Sequence, residues 1–407
     1  MIKSIPNGTF AERDSPFGPS ANTLFYMYPD LSYLLHDLFG TQPDNWTSIF
    51  KTFGLMLVVA ILSAAWFFYL ELKRKANEGI YKPTEARLEV GRPASAWELV
   101  SNGLFGFILG FKVVYIIQHF GEFQRDASDV LLSGKGNWLA GIAAAALFAA
   151  MRWWEKKKLA LPKPKVQTVQ VYPHDRIGDL TMIAAITGII GAKIFAILEE
   201  PSGFMDNPLG TLFSGSGLAI YGGLIGGFFG VLWYLRKHDI PFWPTADAIA
   251  PALIISYGVG RIGCQLAGDG DWGIVAGEQP GWWFLPDWMW AYDYPMNVNK
   301  EGLPIEGCEF VYCNRLAQPV YPTPFYETIA SLLIGGVLWA LRKRLTVPGM
   351  LFFIYLILNG LERFLVEKIR VNEKYESLPF QPTQAEIIAV VFFLIGIGGL
   401  VWLRRKR

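Results

Sequence analysis

Residues 52–75 read TFGLMLVVAILSAAWFFYLELKRK. Residues 52–70 carry no charge and are about as long as a helix needs to be to cross the hydrocarbon core of a bilayer. The Lys-Arg-Lys that follows marks the end that stays in the cytoplasm. Working outward, the same pairing of apolar run and basic cluster recurs along a chain of 407 residues that is 52% hydrophobic. Further apolar runs lie at about 98–118, 136–152, 179–198, 216–235, 246–266, 325–341, 349–367 and 386–403. Basic clusters (RWWEKKK, RKH, RKR, RRKR) follow the odd-numbered runs, and acidic or neutral stretches follow the even ones. The expected fold is an all-α integral membrane protein, a polytopic bundle of about nine spans with the N-terminus outside and the C-terminus cytoplasmic.

A formal net charge of +1 excludes a bulk basic surface, so no nucleic-acid partner is expected. The N-terminus lacks an apolar core followed by a small-residue cleavage site, so no removed signal peptide is expected. Residues 1–48 are read as an extramembrane segment, 49–175 as spans 1–3, and 176–407 as the membrane core. Within that core, residues 267–322 form the longest external loop, with eight acids against two bases and Trp272, Trp282, Trp283, Trp288 and Trp290. Those tryptophans suit either an interfacial belt or a compact cap with an aromatic core. Cys308 and Cys313 in this loop are close enough to form a local disulfide, with two free thiols the alternative. An internal repeat is also visible. A shift of 81 residues lays ELVSNGLFGFILGFKVVYIIQ from Glu98 on DLTMIAAITGIIGAKIFAILE from Asp179, and the preceding links resemble each other. The same shift lays span 1 on span 3, which reads as tandem duplication of a two-span hairpin.

The candidate chemistry gathers at the outer ends of the spans. The stretch GVGRIGCQLAGDGDWG (258–273) places Arg261, Cys264 and Gln265 at the end of an apolar run, with Gly260 and Gly263 beside the arginine and Asp269 and Asp271 just past it. An arginine at that depth is costly unless it faces an anion or a partner. Arg363 and Glu367 in NGLERFLVEKIR are spaced i,i+4, so the carboxylate can hold the guanidinium. Tyr326 and Glu327 open the seventh run. In IYGGLIGGFFG (220–230), Gly222 and Gly223 with Gly226, Gly227 and Gly230 permit close approach by a neighbouring helix or a lipid chain. Two arginines at one depth on different spans suit a phosphate, because the guanidinium fork matches its oxygens and stays charged. The structural alternatives are a buried Arg363–Glu367 ion pair, an Arg261 that snorkels outward, an interfacial anchor at Tyr326 and glycines that only pack.

Four of these segments, IYGGLIGG (220–227), DAIAPALIISYGVGRIG (247–263), PTPFYE (322–327) and GLERFLVEKIR (360–370), together and in this order resemble the prolipoprotein diacylglyceryl transferase family. GIIGAK (188–193), which ends on Lys193, and QPTQAEIIA (381–389) add to the resemblance. The family has seven spans, so the resemblance implies an extra hairpin here. It also implies transfer of the diacylglyceryl group of phosphatidylglycerol to the lipobox cysteine of a prolipoprotein signal peptide, in the bacterial cytoplasmic membrane and without cofactor or metal. Arg261, Arg363, Glu367, Asp269 and Tyr221 then fall at catalytic positions. Gly222, Gly223, Gly260, Gly263, Cys264, Gln265, Tyr326, Glu327, Asn359 and Lys193 fall at substrate- and lipid-binding positions, in contact with membrane lipid. The chain departs from the family where Tyr221 replaces a histidine, Cys264 and Ala267 replace two asparagines, Asn359 replaces a tyrosine, and Phe53-Gly54 stands for Tyr-Gly. The base that activates the thiol is left among Asp269, Asp271, Glu327 and Glu367. A lipid-binding relative of altered specificity and a membrane transporter are the alternative functions, although the sequence has neither a broken-helix pair at mid-membrane nor a chain of intramembrane acids.

Overall fold

The computed structural model describes residues 27–125, 130–131, 134–162, 165–206, 208–213, 219–372, 374–375 and 380–405. Residues 1–26 of the expected extramembrane segment therefore lie outside the described residues. Each apolar run forms a helix: α1 Thr52–Asn77, α2 Ala96–Gln118, α3 Trp138–Leu159, α4 Ile177–Glu199, α5 Ile220–Lys237, α6 Phe242–Ala267, α7 Thr323–Leu341, α8 Met350–Glu367 and α9 Gln384–Arg405. Their ends follow local chemistry. Ser95 and Glu98 form a capping box at the start of α2, Asn137 caps α3, and basic side chains in the last turns of α1, α3, α5 and α9 complement the helix dipoles. Six stretches, Thr52–Asn77, Ala96–Gln118, Pro173–Glu199, Phe242–Ala267, Thr323–Leu341 and Gln384–Arg405, are long and apolar enough to cross a membrane. The chain is a helical membrane protein. α8 falls short because it carries Glu362, Arg363 and Glu367, the charges that make it interesting.

α6 is the central helix, packed along α1 and α7 and touching α8, while α8 lies along α9. At the end of the bundle away from the 258–273 motif, buried charges tie these helices together. Glu71 of α1 holds Arg74 and, at 3.2 Å, Arg342 just after α7. Asp247 of α6 accepts from the backbone amides of Gly349 (2.7 Å) and Phe352 (2.9 Å), so a side chain from one helix caps the start of α8.

The two remaining helix pairs, α2 with α3 and α4 with α5, are built alike. Each follows a seven-residue strand, β1 (Thr84–Val90) and β2 (Lys165–Val171), in links the sequence left without regular structure. The strands pair antiparallel, with Arg87 opposite Thr168, two positions related by the shift seen in the sequence. Lys112 reaches the Val130 carbonyl at 2.7 Å, and Lys193 reaches the Thr211 carbonyl at 2.9 Å. The Asn137 amide donates to Phe111, and that of Ala219 to Ala192. Gly110 lies against Ala140 and Ala144, Gly191 against Gly222 and Gly226. The correspondence therefore lays α3 on α5, whereas the sequence reading laid span 1 on span 3. α1 instead packs on α6.

Over the helix ends near the 258–273 motif sits a cap made from residues 27–51 and 268–322. Met27, Trp272, Tyr292, Tyr294 and Val320 form its core, which makes it a compact aromatic cap. It is fixed to α6 by the Tyr28 amide on the Leu266 carbonyl and by the Tyr294 hydroxyl, which donates to Gln265 at 2.9 Å. Cys308 and Cys313 are disulfide-bonded.

Candidate active site

Arg261 occupies the last turns of α6. That helix stops at Gly268, in the left-handed region at φ +60°, and Gly270 at φ +95° turns the chain again, so that Asp269 and Asp271 fold back over the helix end. The next residues are clamped from both sides: the Gly273 amide donates to Tyr321, the Ile274 amide donates to Ile369, and the Thr323 hydroxyl reaches the Asp271 carbonyl at 2.7 Å. This crossing brings the 271–274 segment, the start of α7 and the end of α8 to one point.

At that point Glu327 of α7, fully buried, gathers three arginines. Arg261 Nε lies 2.7 Å from Glu327 Oε2, and Arg363 Nη1 and Arg370 Nη1 each lie 3.0 Å from Oε1. Asp271 bridges two of the three, accepting from Arg261 and, at 2.7 Å, from Arg370. Glu367 holds Arg363 at 3.0 Å, as the i,i+4 spacing predicts, and is itself braced by the Thr383 hydroxyl (2.8 Å) and Asn372 (2.5 Å). The Tyr257 hydroxyl, one turn before Arg261, accepts from its Nε at 3.1 Å. Three guanidiniums thus face three carboxylates. The resting cluster is therefore close to neutral, and Asp271 is the most exposed of its acids.

Charge explains the two outer acids. Burial opposes ionisation of Asp271, but Arg261 and Arg370 outweigh it and hold the carboxyl below the usual range. Burial pushes the Asp269 carboxyl up, with the Cys264 thiol partly offsetting it. Cys264 Sγ and the carboxylate oxygens of Asp269 and Asp271 lie within 4.8 Å of one another, a spacing that suits a metal. The trio already faces a cation, however, since Arg261 reaches both Asp271 and, at 3.6 Å, Cys264 Sγ. The donor set therefore reads as a guanidinium site.

The geometry brings Arg261, Arg363, Glu327, Glu367, Asp269 and Cys264 together. Tyr221 stands near enough for the charges of Arg363 and Glu367 to act on it. Other expected lipid contacts have different partners. Gly222 lies against the Gly191 backbone of α4 and Gly263 against the Met56 side chain of α1, each too close to admit a Cβ, whereas Gly223 makes ordinary contact with Gly188 and Ala192 of α4. Gly260 faces Ala60 of α1. Gln265 anchors the cap, and Lys193 pins the loop before α5. The Tyr326 hydroxyl donates to the Met289 carbonyl at 2.6 Å, and its ring lines an apolar cavity of about 300 Å³ with Trp283, Leu285, Phe325 and Leu333. Asn359 lies on α8 one turn before Arg363. Arg370, three residues past the end of α8, is a member of the cluster that helical spacing does not reveal, since it is placed by its bridge to Gly273.

A family model described as prolipoprotein diacylglyceryl transferase matches residues 137–402, from the start of α3 into α9. Proteins named phosphatidylglycerol–prolipoprotein diacylglyceryl transferase are similar over much of their length. The one from Lysinibacillus sphaericus is 29% identical over 236 residues, 58% of this chain and 79% of the relative. Those from Staphylococcus haemolyticus and Trichormus variabilis are 31% and 30% identical, over 74% and 78% of their lengths and 57% and 58% of this chain.

Proposed function

The chain belongs to the prolipoprotein diacylglyceryl transferase family, and from that premise we propose how its arginine cluster carries out the transfer. Phosphatidylglycerol enters from the outer leaflet and seats its phosphate on Arg261, Arg363 and Arg370. The thiolate of a lipobox cysteine attacks the glyceryl carbon that bears the phosphate ester. The carbon–sulfur bond forms, the carbon–oxygen bond breaks, and glycerol phosphate leaves with the electron pair. Charge grows on the departing phosphate at that moment, where prepositioned guanidiniums act most strongly. Glu327 fixes their spacing and Glu367 orients Arg363. The observation that carries this reading is the convergence of arginines from α6 and α8 on one buried carboxylate.

The finer expectations rest on the same premise. The nine long helices among the described residues act as nine spans, with the cap and the disulfide loop on the outer face of the bacterial cytoplasmic membrane. A disulfide between Cys308 and Cys313 supports an oxidising side for that loop. The α2–α3 hairpin is a second copy of the α4–α5 unit, an interpretation supported by the matched lysine, amide and glycine contacts. The deciding experiment combines purified protein, phosphatidylglycerol and a lipobox peptide. Thioether product is expected from the wild type and none from Arg261→Ala or Arg363→Ala. No product from the wild type, under conditions in which one of the matched relatives is active, would overturn the proposal.

A further inference from the structure

Transfer needs a group to receive the thiol proton, and the carboxylates nearest the arginines are already engaged. Glu327 holds three guanidiniums, Asp271 holds two, and Glu367 is shared among Arg363, Asn372 and Thr383. Asp269 turns to Cys264 at the outer lip. Glu362 differs from all of these. It is 6% exposed, and neither carboxylate oxygen has a hydrogen-bond partner among the described residues. A buried carboxyl left in this state is costly, which makes it a group waiting for an occupant.

Its placement follows from helical spacing. Ile354, Tyr355 and Leu358 of α8 pack against the core formed with α6 and α7, and Glu362 lies one turn beyond Leu358 on the same face. Gly360 points the other way, against Ala389 and Phe393 of α9. The charged groups that act on Glu362 are Glu327 from α7, Arg363 beside it, Arg261 from α6, and Arg370. Tyr257 of α6 and Tyr355 of α8 are the phenols on which its charge acts. On α9, Glu386 is tied instead to Lys368 at 2.6 Å and to the Thr383 amide. Glu362 therefore lies on the α8 face turned toward α6 and α7, next in sequence to Arg363, and it has unused acceptor capacity there.

We propose that Glu362 is the proton acceptor for the incoming thiol, an inference that rests on the transfer reaction given above. The S–H bond breaks as an O–H bond forms on Glu362, sulfur bonds to the glyceryl carbon, and the C–O bond to phosphate breaks. Glu362 then returns the proton to the departing glycerol phosphate, so that the carboxylate is regenerated each cycle.

The test uses full-length protein in nanodiscs containing phosphatidylglycerol, with lipobox peptides carrying either cysteine or selenocysteine, whose selenol gives up its proton far more readily. Glu362→Gln should slow transfer to the cysteine peptide about 10²–10⁴-fold, the usual range for loss of general-base help. It should regain most of that rate with the selenocysteine peptide. Glu362→Asp should keep part of the cysteine activity. If the wild type makes no product, the transfer reading itself fails. If the wild type is active and Glu362→Gln is equally active, or is slow with both peptides, the role assigned to Glu362 is wrong. Should Glu362→Gln not fold, wild-type pH profiles decide the matter: the selenocysteine peptide should abolish the acid-side fall in rate, and identical profiles for the two peptides would overturn the assignment.

Discussion

Arg370→Ala is the sharpest perturbation of the cluster, because it removes the only described side chain that joins Glu327 to Asp271 from the end of α8. Its side chain is 7% exposed and donates at 3.0 Å to Glu327 and 2.7 Å to Asp271. A hydrogen bond to a charged group contributes about 1.5–3 kcal/mol, and removing one member of a buried pair costs about 3–5 kcal/mol. Glu327 cannot recover hydration, since it is fully buried, whereas Asp271 is 35% exposed and can. The loss should therefore fall at the lower end of that range, at about 3 kcal/mol. Arg370→Lys keeps one charge without the fork and should cost about half as much. Unfolding of purified variants in one lipid composition measures both. A double-mutant cycle with Asp271→Asn isolates the pair, and a coupling energy of at least about 0.5 kcal/mol is expected for groups in contact. Arg370→Ala with wild-type stability, and a cycle that is additive within about 0.3 kcal/mol, would refute the claim that Arg370 belongs to the network.

Arg261→Ala and Arg363→Ala should each abolish thioether formation, with Lys at either position giving at best partial recovery, read by product mass spectrometry. Gly191→Ala should loosen α4 from α5 at a cost of about 1–3 kcal/mol, because its Cβ meets the Gly222 carbonyl and lies 2.9 Å from Gly226 Cα; Gly398→Ala, with open space around it, serves as the silent control in the same unfolding assay. Asp271 has a depressed pKa in the folded protein, so its stabilising effect is present at pH values above its unfolded value of about 3.9 and is lost as the pH falls through the folded value. Stability measured from pH 6 downward should therefore fall more steeply for the wild type than for Asp271→Asn. Replacing Cys308 and Cys313 by serine should cost the cap about 2 kcal/mol, as expected for so short a closed loop, and should raise its susceptibility to protease.

The spans were legible because apolar length and flanking charge are local properties, and the Arg363–Glu367 pair because it lies within one helix. Meeting on Glu327 could be read only as a coincidence of depth. Arg370 lies beyond the end of α8, where helical spacing no longer governs, and is brought back by the bridge between Gly273 and Arg370. That contact spans nearly a hundred residues and leaves no trace in the pattern. Glu362 was missed for the opposite reason. It sits inside a segment read for its arginine, and only burial without a partner distinguishes it from a surface glutamate.

Lys193 shows how an internal repeat can correct a functional reading. In sequence it follows a glycine-rich stretch in a lipid-handling family, so an anionic headgroup is the natural assignment. Its counterpart Lys112 lies in the other hairpin, yet makes the same bond to a loop carbonyl. A contact made identically in two copies, of which only the α4–α5 copy carries Tyr221 beside the arginine cluster, meets a need that both copies share. That need is closure of the loop joining the two helices of a hairpin, where the last-turn carbonyls and the returning chain require a donor. Lys193→Met should therefore lower stability and leave the KM for phosphatidylglycerol unchanged. A rise in KM without a change in unfolding would restore the headgroup reading.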